Sequence, residues 1–299
     1  WGGRRVRERS ENAAGWLWVS PWVVGFGAFM LLPMGMSLYY SFTEYPMLEA
    51  PVWVGLESYG RMLGDAKFWG AVWNTAWYAL ATIPLCTALA LLVAAMLARR
   101  TRMVGFFQAA IFLPTLVPMI ASAMVWMWLF NGEYGLINQV LARAGLGGPS
   151  WLFDKFWAAA ALVLIAMWGV GQQVLVYVAA LKDVPEQLYE AADLDGMGPV
   201  RKFLNVTLPM ISPVILFNVI TLTIGTLQVF ALPLALFQKN KGGPGGVANF
   251  YTSYMYDKAF IDGEMGYACA LAWVQLLAVL ALTGLLFVVS RRAVYYRGA

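Results

Sequence analysis

The sequence predicts an all-α, polytopic membrane protein with six transmembrane helices, and two observations support this prediction. First, 61% of the 299 residues are hydrophobic and only 12% are charged, whereas soluble domains carry roughly 25% charged residues. A chain with so little charge must turn most of its surface towards lipid. Second, six stretches contain no Asp, Glu, Lys, Arg or His, and each exceeds the roughly 20 residues that cross a bilayer as a helix. They are residues 12–43, 68–98, 103–132, 156–181, 203–238 and 265–290.

The first stretch is predicted to be a transmembrane helix, because its apolar run is too long for an ordinary signal peptide and lacks a small-residue cleavage site. The five later stretches are each predicted to cross the membrane once. Prolines recur inside the stretches, and a membrane bundle tolerates them where neighbours satisfy the freed carbonyl groups. Ordinary membrane-helix usage and a role in gating both remain open for these prolines: Pro21, Pro33, Pro84, Pro114, Pro118, Pro209, Pro213 and Pro233.

The positive charges predict the orientation of the chain. With six spans, both termini lie on one side, and that side receives 13 of the 20 Lys and Arg residues. The opposite side receives the rest, including Arg61, Lys155 and Lys239. Because positive charge accumulates in cytoplasmic connections, we expect both termini to be cytoplasmic.

Missing residue types exclude several kinds of chemistry. The chain has no histidine, and its two cysteines, Cys86 and Cys269, both lie in apolar stretches, so no disulfide framework or zinc cluster is expected. Spans without ionisable groups disfavour proton-driven carriers and voltage sensors. The glycine-rich residues 242–246 have no following lysine, so they do not form a phosphate-binding loop. The chain is therefore either passive or driven by a partner, and sodium coupling through carbonyl and hydroxyl groups stays open.

One connection, between the fourth and fifth stretches, has the features of an ordered segment. Asp183, Pro185 and Glu186 resemble a helix start, with a capping carboxylate, an early proline and a glutamate three residues after the cap. The helix should continue to Asp195, and Gly196 and Gly198 should end it; a second short helix from Pro199 would lead into the fifth span. So short a helix is marginal in water unless it packs on something. It could pack on its own bundle or dock on a soluble partner.

The segment carries a recognisable motif. Glu190-Ala191-Ala192, then Gly196, then Val206-Thr207-Leu208-Pro209 resembles the EAA loop of type I ABC importer permeases, with Val206 in place of the usual Ile. Asp193 replaces a common Arg of that family, and Ala231 replaces a frequent acidic residue. Further stretches resemble the MalF/UgpA-like permeases of carbohydrate importers over nearly the whole chain. They are VGLESY at 54–59, WLFN at 128–131, YGLIN at 134–138, TIGTLQVF at 223–230, GGP at 242–244 and GYA at 266–268.

The resemblance implies the type I ABC importer permease fold and a division of labour. This chain would be a non-catalytic permease of a bacterial-type inner membrane, surrounded by lipid and without a nucleic-acid partner. A second homologous permease, a dimer of ATPase subunits that bind ATP and magnesium, and a solute-binding protein that delivers a sugar would complete the importer. The domains would be a cytoplasmic segment 1–15, a helix 16–43, an external loop 44–68, a transport domain 69–290 with the coupling loop 182–205, and a tail 291–299. ATPase coupling would fall to Glu190, Ala191, Ala192, Asp195, Gly196, Leu208 and Pro209.

Neutral hydrogen-bonding groups in the later spans are the candidates for the path of a hydroxyl-rich solute. Such side chains in membrane helices also hydrogen-bond to neighbouring helices, so both roles are open for each. The candidates are Gln172, Gln173, Asn218, Thr226, Gln228 and Trp273.

Two other classes of function compete with this interpretation. A sodium-coupled or facilitative transporter acting alone would predict internal repeats and no docking loop. A membrane scaffold or intramembrane enzyme is the other class, and the lack of histidine and of charged residues in every span argues against the catalytic version.

Overall fold

The structure is a computed structural model that describes residues 15–98, 103–237 and 242–291. Within these ranges, helices dominate, and two-residue strands β1 Thr43–Glu44 and β2 Val52–Trp53 lie between the first two of them. The helices are α1 Gly15–Tyr40, α2 Glu57–Gly64, α3 Ala66–Leu97, α4 Val104–Phe112, α5 Met119–Leu129, α6 Leu136–Arg143, α7 Lys155–Trp168, α8 Gly171–Lys182, α9 Glu186–Leu194, α10 Pro199–Leu227, α11 Ala231–Leu236, α12 Tyr251–Tyr256 and α13 Met265–Ser290.

The predicted all-α membrane fold is confirmed. Four continuous helices, α1, α3, α10 and α13, are long and apolar enough to cross a membrane. The other two predicted spans are pairs of helices, α4 with α5 and α7 with α8, so the described residues hold up to six spans. The N-terminal residues 1–14, the connection at 99–102, Gln238–Lys241 and the tail from residue 292 lie outside the described residues.

The third predicted span differs from a straight helix, because α4 and α5 meet at an angle of 100°. After α4 the chain tightens into a 3₁₀ turn, Leu113–Leu116, and Val117 is extended, with ψ 126°. Pro118 follows as the N-cap of α5. Proline removes a donor and keeps the residue before it out of the helical region, so the bend follows from the Val117–Pro118 pair.

The fifth span also differs from the stretch 203–238. Helix α10 begins earlier, at Pro199, and runs through a π-helical segment, Phe203–Thr207, before ending at Leu227. Phe230 then has a non-helical backbone, with φ −144°. The last part of the predicted span therefore forms a separate short helix, α11, which lies in a buried apolar cluster.

The chain divides into two compact units, Trp1–Gly64 with Met255–Leu276, and Asp65–Tyr254 with Leu277–Ala299. In the first unit, β1 and β2 pair antiparallel, and the Tyr59 hydroxyl donates to Ser41 Oγ at 2.8 Å. Arg61 forms an ion pair with Glu264 and lies 4.1 Å from the ring centre of Tyr267.

In the second unit, α3 is the central helix and packs against α7, α8 and α10. Small residues on α3, among them Ala90 and Ala94, are fully buried at these contacts, which lets helix backbones approach closely. One apolar cluster surrounds Phe130, Trp151 and Phe250, and a second surrounds Cys86, Val174 and Tyr177.

Candidate functional site

The predicted helix in the connection after the fourth span is present as α9, Glu186–Leu194, but its predicted cap is wrong. Asp183 is the C-cap that follows α8, where its N–H donates to the carbonyls of Ala179 and Ala180 at 3.2 Å. The residue that precedes α9 is Pro185, and no side chain caps the helix there. Asp183 keeps a helical backbone as the C-cap of α8, so Pro185 and not Asp183 occupies the N-cap position of α9.

The C-terminal end of α9 has the expected glycine. Gly196 has φ +69°, and its N–H bonds to the Asp193 carbonyl at 3.0 Å. The N–H of Met197 bonds to the Ala192 carbonyl at 2.9 Å. These two bonds form a Schellman motif, in which a glycine in the left-handed region satisfies the last carbonyls of a helix.

Helix α9 has one covered and one open face. Ala192 is buried, whereas Glu190, Ala191 and Asp195 are exposed and Leu194 is 91% exposed. The other predicted coupling residues, Leu208 and Pro209, are half-buried at the first turn of α10 beyond the π-helical segment.

Two side-chain contacts connect α9 to the start of α10. The hydroxyls of Tyr189 and Thr207 are hydrogen-bonded at 2.9 Å in a partly buried position. Asp193 forms an ion pair with Lys202. Asp193 is 65% exposed, and exposed ion pairs contribute about 0–1 kcal/mol. Sequence reasoning had left open whether this helix packs on its own bundle, and one face of it does.

The second unit also contains a cavity of about 410 Å³. Both broken helix pairs have their breaks at its wall: Pro114, Thr115 and Val117 on one side, Gly169 and Val170 on the other. Irregular backbone at membrane depth is tolerated where it is buried in protein or lines a water-filled cavity, and transporters use such broken helices at their binding sites. The location of the two breaks therefore makes this cavity the candidate functional site of the second unit.

Three of the six predicted path residues line this cavity: Gln172, Gln173 and Thr226. The side-chain oxygen of Gln173 is buried and has no hydrogen-bond partner among the described residues. Thr226 donates to the Leu222 carbonyl at 2.8 Å, which leaves its oxygen free to accept from a solute hydroxyl.

The other three predicted path residues lie elsewhere. Asn218 is buried and donates to the Val214 carbonyl at 3.2 Å, and Gln228 is exposed at the end of α10. Neither is among the residues that line the cavity. Trp273 belongs to the other compact unit, where it is half-buried.

Hydroxyl residues that sequence reasoning did not single out also line the cavity: Thr82, Thr115, Ser122 and Thr221. Their local sequence is that of any apolar span, so only the packing of distant helices reveals them. None of the described residues at the cavity wall is charged, which suits a neutral solute.

Comparison with protein families identifies a match over most of the chain. Residues 86–296 match the family described as binding-protein-dependent transport system inner membrane component.

Two relatives are similar over almost their full length. The probable ABC transporter permease protein YesP of Bacillus subtilis is 35% identical over 291 residues, covering 96% of this chain and 94% of YesP. The lactose transport system permease protein LacF of Rhizobium radiobacter is 33% identical over 294 residues, covering 96% of this chain and 97% of LacF.

Solved structures share the fold. A chain of a bacterial ABC transporter involved in the import of the acidic polysaccharide alginate superposes with a TM-score of 0.85 and 20% identity, covering 97% of this chain and 99% of that one. The same kind of transporter, in complex with a periplasmic protein bound to an alginate pentasaccharide, superposes with a TM-score of 0.84 at 20% identity, covering 96% of this chain and 97% of that one. At this identity the likeness establishes the fold alone.

Proposed function

Because this chain belongs to the family of binding-protein-dependent transport system inner membrane components and is a permease subunit, we propose that it imports a sugar or sugar derivative. The observation that carries the proposal is the uncharged cavity at which two broken helices meet, lined by the amides Gln172 and Gln173. Neutral hydroxyl and amide groups of this kind match the hydroxyls of a sugar. LacF, a lactose system permease, is among the relatives. Trp273 stays a path candidate in the other unit.

The chain works as one part of a larger importer in this proposal. A solute-binding protein delivers the sugar, as the alginate transporter complex with its periplasmic protein suggests. A second homologous permease completes the pathway. Two separate ATPase subunits bind ATP with magnesium and supply the energy. The family match does not favour a sodium-coupled or facilitative transporter that acts alone.

Helix α9 is the part of this chain that docks on the ATPase. Its open face presents Glu190, Ala191 and Leu194, and Asp195 and Gly196 set where the helix ends. On the covered side, Ala192 packs within the chain. Leu208 and Pro209 begin the α-helical part of α10, and α10 moves when the ATPase displaces α9. The carboxylate of Glu190 pairs with a basic group of the ATPase, which determines geometry more than affinity.

Glu190→Ala should therefore lower solute uptake per assembled complex several-fold, because one charged contact with the ATPase is lost. The measurement is ATP hydrolysis and uptake in reconstituted vesicles, normalised to intact complex, together with the solute affinity of the binding protein, which should not change. Glu133→Ala removes an equally exposed carboxylate from a different loop and should leave uptake unchanged. Equal uptake by Glu190→Ala and wild type would contradict the docking proposal.

The proposed orientation places both termini in the cytoplasm of a bacterial cell and the chain in the inner membrane. A cysteine introduced at Glu57 should react with an impermeant thiol reagent added outside intact cells, because α2 then faces the exterior. A cysteine at Arg201, at the start of α10, should react only after the cells are opened. Both residues are exposed in the structure, so accessibility does not confound the result; labelling of Arg201→Cys from outside would overturn the orientation.

Gln173→Leu should reduce uptake about fivefold at saturating loaded binding protein, because one buried hydrogen bond to the sugar, worth about 1 kcal/mol, is lost. Gln139→Leu makes the same change at an exposed position of α6 outside the cavity and should have no effect on uptake. The measurement is the uptake rate of labelled sugar in vesicles. A normal rate for Gln173→Leu would remove this residue from the solute path.

A further inference from the structure

We propose that the hydrogen bond between Tyr189 and Thr207 is the joint through which a displacement of α9 moves α10 and the cavity wall. The proposal rests on the proposed docking of α9 on an ATPase, and it concerns the next step within this chain. Tyr189 and Thr207 act in it as positioning residues, since neither lines the cavity.

The backbone between the two helices is a poor transmitter of movement. After α9 the chain turns at Gly196, with φ +69°, and Gly198 is extended, with ψ 165°. A turn with two glycines bends easily, because glycine has the widest range of backbone conformations. Displacement of α9 therefore reaches α10 mainly through side-chain contacts.

Of the two contacts that connect the helices, the hydroxyl pair is the better suited to transmit movement. It is partly buried, at 2.9 Å, and Thr207 itself is only 4% exposed. The ion pair of Asp193 with Lys202 involves an aspartate that is 65% exposed, where water and salt weaken the attraction. Burial holds the hydroxyl pair in one geometry, whereas the ion pair, with its exposed aspartate, separates at a small cost in free energy.

The π-helical segment explains why Thr207 is in position. In Phe203–Thr207 the N–H of Leu208 bonds to the Phe203 carbonyl, five residues back. Pro209 follows, and it has no N–H to donate to a normal helical bond. One extra residue in a turn rotates the preceding part of a helix by about 100° relative to the rest. This rotation determines which residue at the start of α10 faces α9, and in this structure that residue is Thr207.

Beyond the joint, α10 runs as an α-helix from Leu208 to Leu227. Thr221, Leu222, Gly225 and Thr226 near its far end line the cavity. At a rise of 1.5 Å per residue, Thr226 lies roughly 28 Å along the helix from Thr207. A small tilt at the joint thus becomes a larger displacement of the cavity wall, which links the docked helix to the solute path.

The test uses the complete importer in vesicles, with its binding protein and ATPase subunits, and measures ATP hydrolysed per sugar imported. Tyr189→Phe and Thr207→Val each remove one hydroxyl and keep the shape of the side chain. Both should leave the complex assembled and ATP hydrolysis stimulated, but raise the ratio of ATP to sugar about fivefold. Both variants remove the bond between the two hydroxyls, and Thr207→Val also removes the bond that Thr207 donates to the Lys202 carbonyl. The double variant should therefore be no worse than Thr207→Val alone.

Two further variants distinguish a joint from a general defect. Thr207→Ser keeps a hydroxyl at the same place and should retain the wild-type ratio. Tyr134→Phe removes a hydroxyl from an exposed tyrosine and should also leave the ratio unchanged.

The outcomes separate this proposal from the docking proposal. If Glu190→Ala uncouples transport but Tyr189→Phe and Thr207→Val do not, the docking proposal is supported and the proposal that the hydroxyl pair is the joint is wrong. Reduced assembly without a changed ratio, or a double variant with an additive defect, would also overturn it. If Glu190→Ala has no effect while the hydroxyl variants do uncouple, the joint stands and the docking contact has been wrongly assigned.

Discussion

Gly171→Val should remove most of the folded protein from the membrane, because no side chain fits at this position. Gly171 begins α8, and a Cβ atom there would overlap the backbone carbonyl oxygen of Ile111 and lie 3.0 Å from the Cα of Phe112. Both neighbours are backbone atoms, which cannot move aside as a flexible side chain would. Overpacking of this kind costs about 1–3 kcal/mol for smaller insertions, and valine adds three carbons where even one does not fit.

The measurement is the amount of monodisperse protein after extraction and its thermal unfolding temperature. Gly284→Ala is the matched control, since Gly284 lies in the membrane helix α13 and a Cβ there would meet nothing within 4 Å. This control should be as stable as wild type, because alanine favours a helix more than glycine does. A stable Gly171→Val protein would show that α8 and α4 do not pack as closely as described.

Gly196→Val should leave the protein in the membrane but abolish most coupling of ATP hydrolysis to uptake. Gly196 has φ +69°, a region that costs other residues roughly 1–2 kcal/mol and a β-branched residue more. A Cβ there would meet nothing within 4 Å in this chain. The defect would therefore come from a changed backbone, which unwinds the end of α9 and displaces its open face.

Gly198→Ala is the control for this second prediction, because Gly198 is two residues away and also has open space around it. Its φ of −69° is acceptable to any residue, so Gly198→Ala should transport normally. The measurement is uptake and ATP hydrolysis per intact complex in vesicles. Normal uptake by Gly196→Val would show that the left-handed turn is not needed for coupling.

Local sequence rules predicted the local features of this chain well. The run of apolar residues is sufficient to predict spans, because a bilayer requires a minimum length of uncharged helix. Gly196 was predicted to end α9 for a reason that concerns the backbone alone, because the left-handed conformation after a helix favours glycine. The same rules failed at Asp183, because this residue is the C-cap of α8 and Pro185 takes the N-cap position of α9.

Contacts between distant segments account for the features that sequence reasoning missed. Gln173 and Asn218 are both amides in apolar spans, yet only Gln173 reaches the cavity, because the packing of α8 and α10 on α3 decides which face each presents. Likewise, nothing local distinguishes Tyr189 from other tyrosines. Its partner, Thr207, is 18 residues away, beyond the reach of pattern or propensity.

The sequence by itself therefore determined that this chain is an all-α membrane protein with six apolar stretches, because lipid demands long uncharged helices. It also determined a permease-like motif in one loop, together with Gly196, which ends the helix of that loop. Only the tertiary structure decided where two of those stretches break, that both breaks meet at one uncharged cavity, and which amides and hydroxyls reach its wall. It also decided that α9 is held to α10 by the hydroxyls of Tyr189 and Thr207. The physical reason is that hydrophobicity and backbone preference act over a few residues, whereas cavities and cross-helix hydrogen bonds depend on how whole helices pack.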